Sequence, residues 1–185
     1  MRKNLGNKPL IYPQPVLIIG TYDKDGNVDA MNAAWGGVGD DHEVFMCLSS
    51  GHKTVKNFLE RKAFTVQIGT EDLVVQSDFV GIVSANNTSD KFKKSGLKAE
   101  KSEFVDAPVL IDYPISLECE LTSYDPSNGH CFGKIINASV DESVLTDGKV
   151  DVSKLKPIAF GIDRADYIVC DKVIAKAFEV GKKLK

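Results

Sequence analysis

At 185 residues the chain has the length of one domain, residues 1–185, and a globule of this size buries roughly 70% of its unfolded surface without disulfides or metals. Its 43% hydrophobic and 26% charged residues, with a net charge of −3, give no field that would recruit nucleic acid, and no apolar run approaches the roughly 20 residues of a membrane span. Cys47, Cys119, Cys131 and Cys170 lie far apart and make neither a C-x-x-C pair nor a Cys/His zinc spacing, so they read as buried free thiols in a reducing cytoplasm, with no metal site.

In chain order, Arg2 and Lys3 precede no apolar stretch of the kind an export signal needs. Val16 to Tyr22 is β-rich, Asp23-Lys24-Asp25-Gly26-Asn27 supplies a turn, and Val28 to Trp35 resumes an extended pattern, which predicts a hairpin. Val44 to Leu48 predicts a third strand. Thr54 to Lys62 follows as a helix with Val55, Phe58 and Leu59 on one face, and Phe64 to Ile68 as a fourth strand. Thr70 has the character of an N-cap, with Glu71 and Asp72 in the first turn of a helix running through Leu73, Val74, Phe79 and Val80. After the polar Asn86-Asn87-Thr88-Ser89, a short basic segment, Asp90 to Lys94, is ended by Gly96.

In the second half Ile115, Leu117, Cys119 and Leu121 alternate with Ser116, Glu118, Glu120 and Thr122, the pattern of a strand with one wet face. Asp125 to Gly129 turns the chain into a partner strand from His130 to Val140. Further extended pieces are expected near Pro157 to Phe160 and at Asp166 to Val169. Six or seven strands joined by hairpins or one short helix predict a mainly β fold with short helices, a closed antiparallel barrel rather than a parallel sheet.

The segment carrying most chemical information is Ser49-Ser50-Gly51-His52-Lys53-Thr54, between a strand and a helix. Free backbone N–H groups and the positive end of a helix dipole make such a junction an anion site, with phosphate the natural guest. Serine and threonine there also serve as plain N-caps, and these residues alone allow either reading. Asn32-Ala33-Ala34-Trp35-Gly36-Gly37 combines small residues, which let a backbone approach a flat ligand, with the only tryptophan of the chain. The alternative is a bulge beside a core aromatic. Gly36-Gly37-Val38-Gly39 lacks both the Lys-Ser/Thr of a P-loop and the spacing of a dinucleotide fingerprint. His42, His52 and His130 fall into neither triad nor metal spacing.

The ordered set Gly20-Thr21-Tyr22, Asn32-Ala33-Ala34-Trp35-Gly36, His52-Lys53-Thr54, Ala63-Phe64-Thr65-Val66, Asp78-Phe79-Val80-Gly81-Ile82-Val83-Ser84, Asp90-Lys91-Phe92, Asp106-Ala107-Pro108 and Leu117-Glu118-Cys119 resembles the flavin reductase-like family, in its flavoredoxin branch, from about Pro9 to Lys182. The resemblance implies an FMN-binding split β-barrel, closed, antiparallel and Greek-key-like, working as a homodimer. It implies that the flavin ring packs along Asn32, Ala33, Ala34 and Trp35, and that Ser49, Ser50, His52, Lys53 and Thr54 hold the phosphate. Lys91 would reach in from its own segment, while Gly81, Val83 and Ser84 border the ring.

Two departures stand out. Many relatives carry an arginine just before the His-Lys/Arg-Thr element, where this chain has Ser50-Gly51, so the resemblance implies a missing bidentate phosphate clamp, with Lys53, Lys91 and backbone amides as its substitutes and FMN held more weakly. Asp166 to Asp171 lacks the Tyr-Gly-Leu-Gly-like stretch of relatives, which alters the substrate side of the pocket. The resemblance implies an FMN-dependent oxidoreductase taking electrons from NAD(P)H or another donor. The alternative is a flavoredoxin-like electron carrier with prosthetic FMN and a protein redox partner; a non-redox binding module on the same barrel is a third reading. Hydride transfer needs no side-chain acid, so no catalytic residue is assigned.

Overall fold

The computed structural model describes residues 1–185. Its strands are β1 (Gln14–Pro15), β2 (Leu17–Tyr22), β3 (Val28–Ala33), β4 (Gly36–Asp40), β5 (Glu43–Cys47), β6 (Ala63–Ile68), β7 (Glu100–Lys101), β8 (Pro108–Val109), β9 (Ile115–Asp125), β10 (His130–Val140), β11 (Leu145–Thr146), β12 (Lys149–Val150), β13 (Ile158–Gly161) and β14 (Asp166–Val169). Four short helices join them: α1 (Lys53–Arg61), α2 (Val74–Ile82), α3 (Lys91–Ser95) and α4 (Val152–Leu155). Seven strands form one antiparallel sheet in the order β3-β2-β6-β9-β10-β5-β4. The predicted strands, the α1 helix and the αL cap at Gly96 are present within a residue or two of their expected ends.

The closed barrel expected from the sequence is corrected, because β3 and β4 are the two edges of the sheet and do not pair. Only Ala34 and Trp35 separate them, and a chain that short reaches about 11 Å. Seven strands laid flat would hold their edges about 29 Å apart. The sheet therefore curls until its edges come together at Ala34-Trp35, where the Cys47 amide donates to the Trp35 carbonyl at 2.7 Å and extends the β4–β5 ladder by one residue. Along the rest of the seam the edges stay apart. Gly36 to Gly39 is thus edge strand β4 rather than a loop.

Strand β2 is buried on both faces, which is why Val16-Leu17-Ile18-Ile19 reads as a continuous apolar run. Leu17 and Ile19 join Met31, Met46, Phe58 and Phe64 inside the curl, while Val16 and Ile18 join Val80, Leu110 and Ile158 on the other side. The Phe64 ring lies so close over Gly133 that any Cβ there would collide with it. The predicted wet face of β9 is dry at its start: Ser116 and Glu118 are buried. The excursion through β7 and β8 reaches Glu118 through Ser102. Ser102 Oγ donates to the Glu118 carboxylate, Asn137 Nδ2 donates to it at 2.7 Å, and Gln67 Nε2 donates to Ser116 Oγ at 3.1 Å.

Of the four unpaired cysteines, Cys119 and Cys131 are buried, Cys47 is half-buried and Cys170 is exposed, so the expectation of buried thiols holds for two. Burial pushes the thiols of Cys119 and Cys131 up to about 12. In the unfolded chain they ionise near their ordinary values, so above about pH 9 the unfolded state loses protons that the folded state keeps. Stability then falls as pH rises, by about 1.4 kcal/mol per pH unit for each thiol. Urea titrations at pH 8 and pH 10 are expected to show this loss, and the C119A/C131A variant to lose less between the same two pH values.

Candidate functional site

Two contiguous cavities meet over the end of β3, sharing Met31, Asn32, His52, Gly81 and Ile82 as walls. The first, of about 280 Å³, is mostly apolar and aromatic: Ala33, Ala34, Trp35, Leu48, Phe160 and Tyr167 complete it with Cys47 and Asp78. The second, of about 180 Å³, is polar and is walled by Asp29, Lys53, Thr54, Val80, Val83, Ser84, Ala85 and Lys91. A slot of this shape suits a ligand with a flat apolar end and an anionic end.

The polar end is built at the N-terminus of α1. His52 is its N-cap, yet no side chain accepts a capping hydrogen bond, and the first turn holds Lys53 and no acid. Capping is therefore not what these residues do. A lysine beside the positive end of a helix is electrostatically misplaced unless an anion joins it. Lys53 Nζ has only the distant Asp23 carboxylate, at 3.8 Å.

Lys91 and Asp29 form a buried ion pair below this terminus, with side chains 4% and 5% exposed and Nζ 3.4 Å from Oδ1. Thr54 Oγ1 donates to the other carboxylate oxygen at 2.7 Å. Burial holds the Lys91 ammonium below the usual lysine range, and Asp29 opposes that shift. Oδ1 has an ionic partner but no hydrogen bond, and the ammonium has three donors to offer. An anion in the cavity would complete the set.

At the flat end the amides of Ala34 and Trp35 donate to no backbone carbonyl. Asn32 ties three elements together: its Nδ2 donates to the Ser77 carbonyl of α2 at 3.0 Å and to the Tyr167 hydroxyl of β14 at 3.3 Å. Tyr167 in turn donates to Asp78 Oδ1 at 2.9 Å. Gly81 permits this closeness, since a Cβ there would stand 3.0 Å from that of Asn32. Trp35, Phe160 and Tyr167 run as a chain of aromatic contacts, with ring centres 6.2 and 6.3 Å apart. The three-stranded sheet β1-β13-β14 carries the last two rings across the cavity.

The structure thus brings together Asn32, Ala33, Ala34, Trp35, His52, Lys53, Thr54, Gly81, Val83, Ser84 and Lys91. Ser49 and Ser50 lie exposed in the turn before α1 and wall neither cavity. Sequence reasoning missed Asp29, Asp78, Phe160 and Tyr167. Only Asp29 carried a signal, as an acid inside an apolar strand.

The flavin reductase like domain model matches residues 10–155. The chain belongs to the flavin reductase-like family. Among solved structures of this family's fold, the chain is similar to the flavoredoxin of Desulfovibrio vulgaris (Miyazaki F), with 35% identity, a TM-score of 0.93, and 98% of this chain and 100% of that one covered. It is also similar to the flavoredoxin from Methanosarcina acetivorans, at 24% identity and a TM-score of 0.88 over the full length of both. An uncharacterized protein of Aquifex aeolicus is 28% identical over 159 residues, 80% of this chain and 81% of that protein. Phe160 and Tyr167 lie beyond the residues that the domain model matches.

Proposed function

We propose that the chain is an FMN-binding oxidoreductase that passes electrons from NAD(P)H or another donor to an acceptor. The observation that supports it is the paired cavity, flat and apolar at one end and cationic at an uncapped helix N-terminus at the other, in a chain of the flavin reductase-like family. Bound FMN would supply the redox chemistry.

The residues present fit that group. Lys53, Lys91 and the first-turn amides of α1 bind the phosphate, and His52 stands at the junction of the two cavities. Thr54 holds Asp29, and Asp29 in turn orients Lys91. Ala33 to Trp35 face the ring, with the amides of Ala34 and Trp35 offered to its polar edge, while Val83 and Ser84 close the cavity on the α2 side. No proton-transfer dyad is needed, and none is assigned.

A second reading, an electron carrier with prosthetic FMN and a protein redox partner, is favoured by the 35% identity to a flavoredoxin. The visible spectrum of the purified protein, followed by anaerobic addition of NADH and then NADPH, separates the two. Rapid bleaching of a yellow protein supports the reductase, and bleaching only by dithionite or a ferredoxin supports the carrier. A colourless protein that takes up no added FMN overturns both.

We also infer a homodimer. Trp35 is half-exposed between the flat cavity and an apolar groove of about 310 Å³ lined by Ile11, Val38, Phe45 and Ile162. The chain beyond β14 carries Val173, Ile174, Phe178 and Leu184 with at least three quarters of their surface exposed, an apolar arm suited to embracing a second copy. Sedimentation at micromolar concentration is expected to give a dimer for the native chain and a monomer for the I174D/F178D variant, with weakened FMN binding in the monomer. The unpaired thiols suit a reducing cytoplasm.

A further inference from the structure

We propose that Asp78, held in place by Tyr167, sets the reduction potential of the flavin low, so that the site is tuned to give electrons away; this rests on the FMN reading above. The two cavities have opposite polarity. The second carries Lys53, Lys91 and the positive end of α1, with its one carboxylate, Asp29, paired to Lys91. The first carries, as its ionisable groups, Cys47, His52, Asp78 and Tyr167, and His52 is shared with the cationic end.

Asp78 is thus the carboxylate facing the flat cavity. The last turn of α2 adds to its sign. Gly81 and Ile82 wall the cavity, the final turn contains no basic residue, and a helix C-terminus is the negative end of its dipole.

Tyr167 fixes that charge in place. Its hydroxyl donates to Asp78 Oδ1 and accepts from Asn32 Nδ2, so both of its hydrogen-bonding roles are filled within the protein. Burial, then the adjoining Asp78, pushes the phenol up to about 12, so the hydroxyl keeps its proton and donates it to the Asp78 carboxylate. Tyr167 is therefore a positioning residue and Asp78 the group that acts through space.

Reduction by two electrons and one proton leaves a flavin ring with one more negative charge than it had when oxidised. A fixed carboxylate facing the same cavity destabilises that product relative to the oxidised ring, which lowers the potential. The amides of Ala34 and Trp35 pull the other way, as neutral dipoles. Removing the Asp78 charge therefore isolates its share.

The test compares the native protein with Asp78→Asn and Asp78→Glu in dissociation constants for oxidised FMN and, anaerobically, for reduced FMN, and in midpoint potential. Asparagine keeps an oxygen to accept from Tyr167, so geometry is retained while the charge is lost. D78N is expected to favour reduced over oxidised FMN about tenfold more than the native protein does, a rise of about 30 mV for a two-electron couple. D78E is expected to stay at the native potential. Y167F, which frees the carboxylate to turn toward solvent, is expected to move in the same direction by a smaller factor, and carries the test if D78N does not fold. FMN bound by D78N at an unchanged potential overturns the proposal, as does an unchanged potential in Y167F where D78N does not fold. A native protein that takes up no FMN overturns instead the functional reading on which it rests.

Discussion

Replacing Lys91 with alanine is expected to destabilise the fold by about 3–5 kcal/mol, because it leaves Asp29 charged, buried and without its ionic partner. In a chain of this length each kcal/mol lowers the melting temperature by about 2–4 °C, so a fall of about 6–20 °C is expected in a thermal scan. The reverse variant, Asp29→Ala, strands a buried ammonium and is expected to cost a similar amount. K91M/D29N is expected to recover most of the loss, since methionine fills the lysine's volume and asparagine still accepts from Thr54. Singles and double that all melt alike would mean the pair is solvated. The same geometry makes Thr54→Ala a poor probe of phosphate binding, since it also removes the Asp29 hydrogen bond.

Lys53 is the cleaner probe. Its side chain is 28% exposed and its one acidic neighbour is 3.8 Å away, so Lys53→Ala is expected to change stability by less than about 1 kcal/mol. A hydrogen bond to a charged group contributes about 1.5–3 kcal/mol, which weakens FMN by about 10- to 150-fold. Riboflavin has no phosphate and is expected to bind K53A as it binds the native protein. Titration of both flavins by fluorescence quenching reads the difference. Equal losses for the two would remove the anion site from the functional reading.

The legible parts of this molecule are those where local chemistry and tertiary structure agree. His130 to Val140 and Asp166 to Val169 show both ends in sequence because turn residues flank an extended pattern, and Lys53 advertises an anion by standing where a helix does not want a cation. One expectation failed for a reason outside any local window. Ser116 and Glu118 look like the wet face of β9, yet both are buried, Glu118 against Ser102 of the excursion between β7 and β8 and Asn137 of β10, and Ser116 against Gln67 of β6. Ser49 and Ser50, expected as phosphate ligands, stand exposed in the turn before α1, outside the walls of the cavity that His52, Lys53 and Thr54 line.

The sequence by itself determined the main strands of the large sheet, the α1 helix and the Lys53 and Ala33-Ala34-Trp35 segments of the slot, because periodicity, turn chemistry and cap preference act over a few neighbouring residues. Only the tertiary structure decided that the sheet curls without closing, that Asp29 sits under Lys91, and that Tyr167 reaches across 89 positions of sequence to Asp78. Those pairings depend on which surfaces meet once two separate apolar clusters are buried, and burial is summed over the whole chain rather than written at any one place in it.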